Sequence, residues 1–412
     1  MEVKAGYKQT EYGTIPEDWG LMELRSIAKY RRGSFPQPYG LSKWYDDISG
    51  NPFIQVVDVT DEMKLKPETK KRLSAEAEKM SVFAKKGSVI ISLNGSVGRV
   101  ALTHYDGFID RTLLLFESFS VPLDKCYFIY ALSAVFREEE KKAPGAILKT
   151  ITKEHLSNFL LPLPKIAEQE AIGEALSDAD ALIEALEGLI AKKRQVKQGA
   201  MQELLRPKEN WVEKRLGNTA VLKARIGWQG LTTKEYLDSG DYYLITGTEF
   251  KNGYIDWDDC HYVDMSRYKQ DKNIQIREHD VLVTKDGTIG KIALITDLPK
   301  PATLNSGVFV IRPIDDAFYP EFFYYLLCSN VFIEFLNQLS AGSTINHLYQ
   351  KDFVNFVYKT PPTLEEQTAI AEILSDMDAE IAALEGKLSK AREVKQGMMS
   401  VLLTGKIRLN HD

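Results

Sequence analysis

A stretch of 42 residues occurs twice in this chain. Residues 164–205 and 362–403 align without a gap at a constant offset of 198, and about 25 of the 42 positions are identical. The shared letters read P-x-x-x-E-Q-x-A-I-x-E-x-L-S-D-x-D-A-x-I-x-A-L-E-G, then K-x-R-x-V-K-Q-G-x-M-x-x-L-L. Ile172, Leu176, Ala179, Ile183, Leu186 and Ile190 in the first copy, and Ile370, Leu374, Met377, Ile381, Leu384 and Leu388 in the second, step by four and three. That is the period of a helix with a coiled-coil seam. The phase then slips: the next seam positions fall on Lys193 and Lys197 in one copy and on Ala391 and Lys395 in the other, while Val196 and Val394 stand off the seam.

A single helix of this length is a rod of roughly 60 Å, far beyond an ordinary globular helix, and it needs a partner. The other copy is the expected one. The first half of each rod is acidic (Glu168, Glu170, Glu174, Asp178, Asp180, Glu184, Glu187; Glu365, Glu366, Glu372, Asp376, Asp378, Glu380, Glu385), and the second half is mostly basic (Lys192, Lys193, Arg194, Lys197; Lys387, Lys390, Arg392, Lys395). An antiparallel pair sets acid against base, whereas a parallel pair sets like against like. The same polarity suits each helix dipole.

The repeat extends beyond the rods. Glu17-Asp18-Trp19 with Leu24 is echoed by Glu209-Asn210-Trp211 with Leu216, so the two tryptophans are expected as core anchors. Residues 87–101 mirror 279–293, each a β-branched strand, a G-[ST]-[VI]-G turn (Gly95 to Gly98; Gly287 to Gly290) and a second strand. More strand is expected at 112–116 and 307–311, then helix over 127–139 and 320–339, then glycine loops at Ala143-Pro144-Gly145 and Ala341-Gly342-Ser343. The expected fold class is α+β: two globular α+β domains separated by two long helices that form an antiparallel coiled coil, with pseudo-two-fold symmetry. The domain boundaries are 1–163, 164–206 for the first helix, 207–361, and 362–412 for the second helix and tail. With the rods antiparallel, the two domains sit at opposite ends, as in a caliper.

Chemistry is sparse. The G-x-x-G turns lack the following helix and the Ser/Thr of a P-loop, so a hairpin turn or a DNA-proximal turn is the better reading. Asn51-Pro52-Phe53-Ile54 is a poor match to a methyltransferase tetrapeptide. Asp46 or Asp47 with Glu62-Met63-Lys64 makes a forced metal-nuclease cluster. Cys126, Cys260 and Cys328 are scattered singletons, and Cys260-His261 with His279 has no convincing metal spacing. No apolar run is long enough for a membrane span and residues 1–12 carry no apolar signal region, so a cytoplasmic protein is expected.

A net charge of −6 argues on average against a nucleic-acid partner, but much of the acid sits on the rods. Between them lie basic clusters at Lys29, Arg31, Arg32; Lys64, Lys66, Lys70, Lys71, Arg72; Lys85, Lys86; and Lys223, Arg225. Arg31-Arg32-Gly33 and Arg225-Ile226-Gly227 take corresponding places, each ahead of a loop that differs completely between halves. Basic, amide and aromatic side chains there suit phosphates and base edges. The candidate DNA-binding residues are Arg31, Arg32, Gln37, Tyr39, Lys43, Asn94, Ser96 and Arg99 in the first half. In the second they are Arg225, Trp228, Gln229, Lys234, Lys285, Asp286, Thr288 and Lys291.

Taken together, the Trp…Leu openings, the paired G-[ST]-[VI]-G-[RK]-[VI]-A turns and the rods ending in V-K-Q-G-x-M-x-x-L-L resemble the specificity subunit of type I restriction-modification systems over essentially the whole chain. The resemblance implies a non-catalytic reader of a split, asymmetric sequence in double-stranded DNA, one half-site per recognition domain. It also implies that the helices fix the gap and dock two methyltransferase subunits, with two restriction subunits joining in the full complex. No cofactor is expected on this chain; S-adenosylmethionine, ATP and Mg2+ are expected on the partners. The competing reading is a two-headed protein scaffold without DNA binding.

Overall fold

The repeats are realised as two uninterrupted 39-residue helices in the computed structural model, which describes residues 5–10, 13–142, 151–340 and 347–409. The longer helices are α1 (Lys125–Lys142), α2 (Ile166–Leu204), α3 (Pro320–Leu327), α4 (Asn330–Ser340) and α5 (Leu364–Leu402). Contacts divide the chain into two units, Met1–Glu187 with Gly386–Asp412, and Gly188–Glu385. The glycine loops expected at Ala143-Pro144-Gly145 and Ala341-Gly342-Ser343 lie outside the described residues.

In the first unit, strands β1 (Ala28–Arg32), β2 (Val89–Ser92), β3 (Val100–Leu102) and β4 (Leu113–Phe119) form an antiparallel sheet in the order β1-β4-β2-β3. β2 is apolar along most of its length because both its faces are covered. Val89 and Ile91 join the core shared with α1, while Ile90 joins a second core with Ile54 and Ile109 from the neighbouring four-stranded sheet. Gly20–Glu23 pairs with Leu160–Leu163, which brings the two ends of the globular segment together at the start of α2. The α1 core continues through Trp19 to Ile172 and Leu176 of α2 and to Leu402 and Leu403 at the end of α5. The first two seam positions of α2 therefore face the domain core.

The second unit repeats the plan. β5 (Ala220–Lys223), β6 (Val281–Thr284), β7 (Ile292–Leu294) and β8 (Val308–Pro313) take the order β5-β8-β6-β7, and Val212–Arg215 pairs with Val357–Thr360. Trp211 and Leu205 share a core with Phe322, Phe323, Ile370 and Leu374. The helix expected over 320–339 is broken between α3 and α4. The Ser329 hydroxyl accepts the Val331 N–H at 3.3 Å and donates to the Leu326 carbonyl at 2.6 Å, which caps one helix and closes the other.

Within each unit the helix segments run antiparallel. In the first, Glu168, Asp180 and Glu187 of α2 pair with Arg408, Lys395 and Arg392, so partner number falls as α2 advances. In the second, Arg194, Lys197 and Lys208 pair with Glu385, Asp378 and Glu366. Exposed pairs contribute little; besides Arg408–Glu168, whose side chains are 27% and 6% exposed, two pairs are different. Lys395 and Asp180 have side chains 14% and 12% exposed, and Lys197 and Asp378 are both at 19%. Each aspartate also accepts a tyrosine hydroxyl from its own domain, Tyr130 at 2.6 Å and Tyr325 at 2.8 Å. This Tyr–Asp–Lys triad accounts for the phase slip, because the lysine occupies a seam position in order to meet a carboxylate on the facing helix. Burial, with the aspartate close by, pushes the Tyr130 hydroxyl pKa up, so the tyrosine stays a donor.

Candidate nucleic-acid interface

In the first unit Arg32, Asn94 and Tyr39 gather where β1 and β2 end and β4 begins. Arg31 and Arg32 are exposed at the end of β1. Arg31 lies 3.7 Å from Glu117, and the Arg32 Nε donates to the Arg111 carbonyl at 2.5 Å. With the Asn94 amide oriented so that its nitrogen donates to the Leu93 carbonyl at 2.8 Å, its oxygen accepts from Arg32 at 3.0 Å. Arg111 lies over the Tyr39 ring at 5.2 Å. The Tyr39 hydroxyl donates to Asp110 at 3.3 Å and accepts from Gln55 at 2.9 Å; partial burial, then the Asp110 charge, push its pKa up to about 12. Gln37 is exposed beside it. Lys43 covers the Trp44 ring at 3.9 Å and lies 3.3 Å from Glu76. The result is a basic and aromatic cluster in which Arg31, Arg32 and Gln37 are exposed.

The G-x-x-G turns are tight hairpin connections. Gly95, Gly98, Gly287 and Gly290 all have positive φ, and a Cβ on Gly98 would sit 2.3 Å from Phe136. The hydroxyl ending each strand staples the turn: Ser92 donates to the Ser96 carbonyl at 2.5 Å and Thr284 to the Thr288 carbonyl at 2.6 Å, and each accepts a backbone N–H, from Arg99 and Lys291. Ser96 and Thr288 are exposed on these turns. Arg99 is committed to Asp61 at 2.7 Å and to the Val59 carbonyl at 3.0 Å, and Lys291 is half-buried.

The expected match of Arg31 with Arg225 is corrected by strand register. Arg31 stands opposite Leu115 and Lys223 opposite Val310, while β4 and β8 align on β2 and β6 through Leu113–Ser92 and Val308–Thr284. Lys223 is therefore the counterpart of Arg31. The second half carries two more residues between strand and glycine, which displaces an alignment made on the glycines. Arg225 is 1% exposed, with its guanidinium donating to the Leu304 carbonyl at 2.8 Å, Gln270 at 3.0 Å and Thr303 at 3.2 Å. Burial lowers its pKa. It braces the second domain and is not presented to a phosphate.

The rest of the second tip is more mixed in charge. Lys285 is largely buried over the Phe309 ring at 5.5 Å and lies 3.8 Å from Asp286, which also pairs with His347. Lys234 is exposed and Gln229 half-buried; the Trp228 side chain is outside the described set. One shared device was not legible in the sequence. The Tyr39 hydroxyl bonds Asp110 and the Tyr236 hydroxyl bonds Asn305 at 2.7 Å, each just ahead of the matched strand β4 or β8. Unlike loops are hooked to the same point on like frames. Arg111, Asp110, Asn305 and His347 join the site only through these contacts, and Lys223 through strand register.

The long helices carry a second shared surface. Among positions identical in the two copies, Glu174, Asp178, Ala181, Ala185, Gly188, Lys192, Val196 and Gly199, with their equivalents Glu372, Asp376, Ala379, Ala383, Gly386, Lys390, Val394 and Gly397, are exposed in both. Their spacing of three and four puts them on one helix face. Val196 and Val394 are 50% and 51% exposed. Each unit holds one full set of these letters, divided between its two helix segments.

Among the described residues, no group of three or more His, Cys, Asp or Glu side chains is placed to hold a metal, and no helix is long and apolar enough to cross a membrane. The family model described as type I restriction modification DNA specificity domain matches residues 16–193 and 208–393. The chain is 23% identical to the type I restriction enzyme MjaVIII specificity subunit of Methanocaldococcus jannaschii, covering 98% of this chain and 96% of that one. It is 20% identical to the EcoBI specificity subunit of Escherichia coli, covering 92% and 83%. Its fold is like that of a type I restriction-modification S subunit from M. genitalium, with TM-score 0.63, 15% identity, and coverage of 100% and 99%.

Proposed function

The chain belongs to the type I restriction modification DNA specificity family, and from that premise we propose that it reads a bipartite, asymmetric sequence in double-stranded DNA, one half-site per domain. It is the DNA-specificity subunit of such a system and is not itself catalytic; the enzymatic activities lie on partner subunits. In this reading, segments 1–163 and 207–361 are the two recognition domains, and the helices within 164–206 and 362–412 set the spacing. The observation that carries it is the pairing of register-matched frames with unlike side chains on them: Arg31, Arg32, Asn94 and Arg111 against Lys223, Lys285, Asp286 and His347. Arginine, lysine and amide side chains hold phosphates and read base edges.

The duplicated exposed face of the helices supports docking of two copies of one methyltransferase subunit. Packing within this chain gives no reason for exposed letters to match, whereas a partner bound twice does. Two restriction subunits complete the assembly, S-adenosylmethionine, ATP and Mg2+ belong to these partners, and the complex works in the cytoplasm. The test is to purify the chain with its methyltransferase partner and map the methylated motif. A split motif is expected, with binding that falls steeply with salt as counterions are released. Arg31→Ala and Lys223→Ala should each lower the log–log salt slope by about 1. A contiguous motif, or salt-insensitive binding, would refute the reading.

A further inference from the structure

The G-[ST]-[VI]-G turns match in almost every structural respect. The same strand-end hydroxyl closes them, the same glycines adopt positive φ, and the last glycine of each packs against an apolar side chain, Phe136 in one unit and Leu336 in the other. At the residue that enters the turn the match ends. Asn94 in one unit is Asp286 in the other, at the same distance along β2 and β6 by strand register.

The two side chains offer opposite chemistry from the same place. The Asn94 amide has both donor and acceptor: one N–H goes to the Leu93 carbonyl at 2.8 Å and Arg32 holds its oxygen at 3.0 Å, which leaves a second N–H and a second lone pair for a base edge. The Asp286 carboxylate only accepts. Its side chain is 39% exposed, beside Lys285 at 3.8 Å and in contact with His347. A carboxylate on a surface that approaches phosphates is repelled by them. It is tolerated there when cations offset its charge and when the duplex offers it a donor. In the major groove that donor is the exocyclic amino group of cytosine or adenine, whereas an asparagine amide suits the paired donor and acceptor of adenine.

We propose that this turn-entry position is a specificity-determining site in both domains, with Asp286 accepting a hydrogen bond from a base amino group in the half-site of the second unit and Asn94 making a two-way contact in that of the first. The Lys285 ammonium offsets the charge of the carboxylate, and the His347 ring holds it in place. This inference rests on the bipartite reading above and names which residue discriminates.

The test uses the complex with the methyltransferase partner and a plasmid library of randomised sites, sequenced for methylation. Asp286→Asn, which keeps the side-chain volume, should shift base preference at one base pair of one half-site by about tenfold or more and leave the other half-site unchanged. Asn94→Asp should do the converse. Asp286→Ala should relax discrimination at the same base pair. If the wild-type complex reads a split motif and all three variants keep it unaltered, losing only affinity or stability, the inference is overturned while the bipartite reading stands. If the wild type reads no split motif, the reading itself falls.

Discussion

Lys395→Ala tests what holds the helix segments in register. The substitution leaves the Asp180 carboxylate, with a side chain only 12% exposed, holding the Tyr130 hydroxyl as its remaining partner among the contacts described. Removing one member of a buried ion pair costs about 3–5 kcal/mol, and the retained hydrogen bond offsets about 1 of that. The expected loss is therefore about 2–4 kcal/mol, or a fall in melting temperature of about 4–16 °C for a cooperative unit of some 150–250 residues. Arg392→Ala is the internal control. It breaks the Arg392–Glu187 pair on the same helices, but those side chains are 59% and 44% exposed, so less than about 1 kcal/mol is expected. Thermal unfolding of the full chain followed by circular dichroism compares the two. If Lys395→Ala melts within a degree of Arg392→Ala, the triad does not fix the register.

The tail makes a second clamp. Arg408 reaches Glu168 at 2.6 Å and Asp18 at 2.9 Å, while Glu168 also accepts the Trp19 indole N–H at 3.0 Å. Arg408→Ala should cost about 2–4 kcal/mol, mostly through Glu168, whose side chain is 6% exposed. The hydrogen bond from Arg408 holds the Asp18 carboxyl below its ordinary value. That part of the clamp is full above about pH 4 and is lost as pH falls through the lower folded value, so acid melting curves should differ less for the variant than for the parent. Val196→Asp with Val394→Asp should abolish methyltransferase co-purification, and either alone should leave one partner copy by mass measurement; two bound copies in the double variant would refute the docking face. Inserting seven residues after Gly188 and after Gly386, which preserves the helical phase, should lengthen the accepted spacer in methylation mapping. An unchanged spacer would refute the ruler.

Much of the architecture was legible because its signals are local. The step of four and three gave the long helices to within two residues at each end, and the acid-to-base polarity gave their direction. Trp19 and Trp211 were placed in the cores, where both lie at 6% exposure or less. The candidate site was legible only in part. Arg32 meets Asn94 directly and Tyr39 by way of Arg111, but Arg225, which shares with Arg31 only a following glycine, is buried. Arg99 carries the charge a phosphate needs but is occupied by Asp61. Nothing near Arg111 or His347 in the chain marks them, and only tertiary contacts with Tyr39 and Asp286 bring them to the site.

By itself the sequence determined the repeat, the helical period, the class of each segment and the family, since these depend on which residues follow one another along the chain. Only the tertiary structure decided which cation is the counterpart of which, why lysines interrupt an apolar seam, and which exposed letters remain unexplained by packing. Strand register and ion pairing join residues that lie tens to hundreds of positions apart, so two extra residues that are nearly silent in sequence make Lys223, and not the arginine nearer the glycine, the counterpart of Arg31.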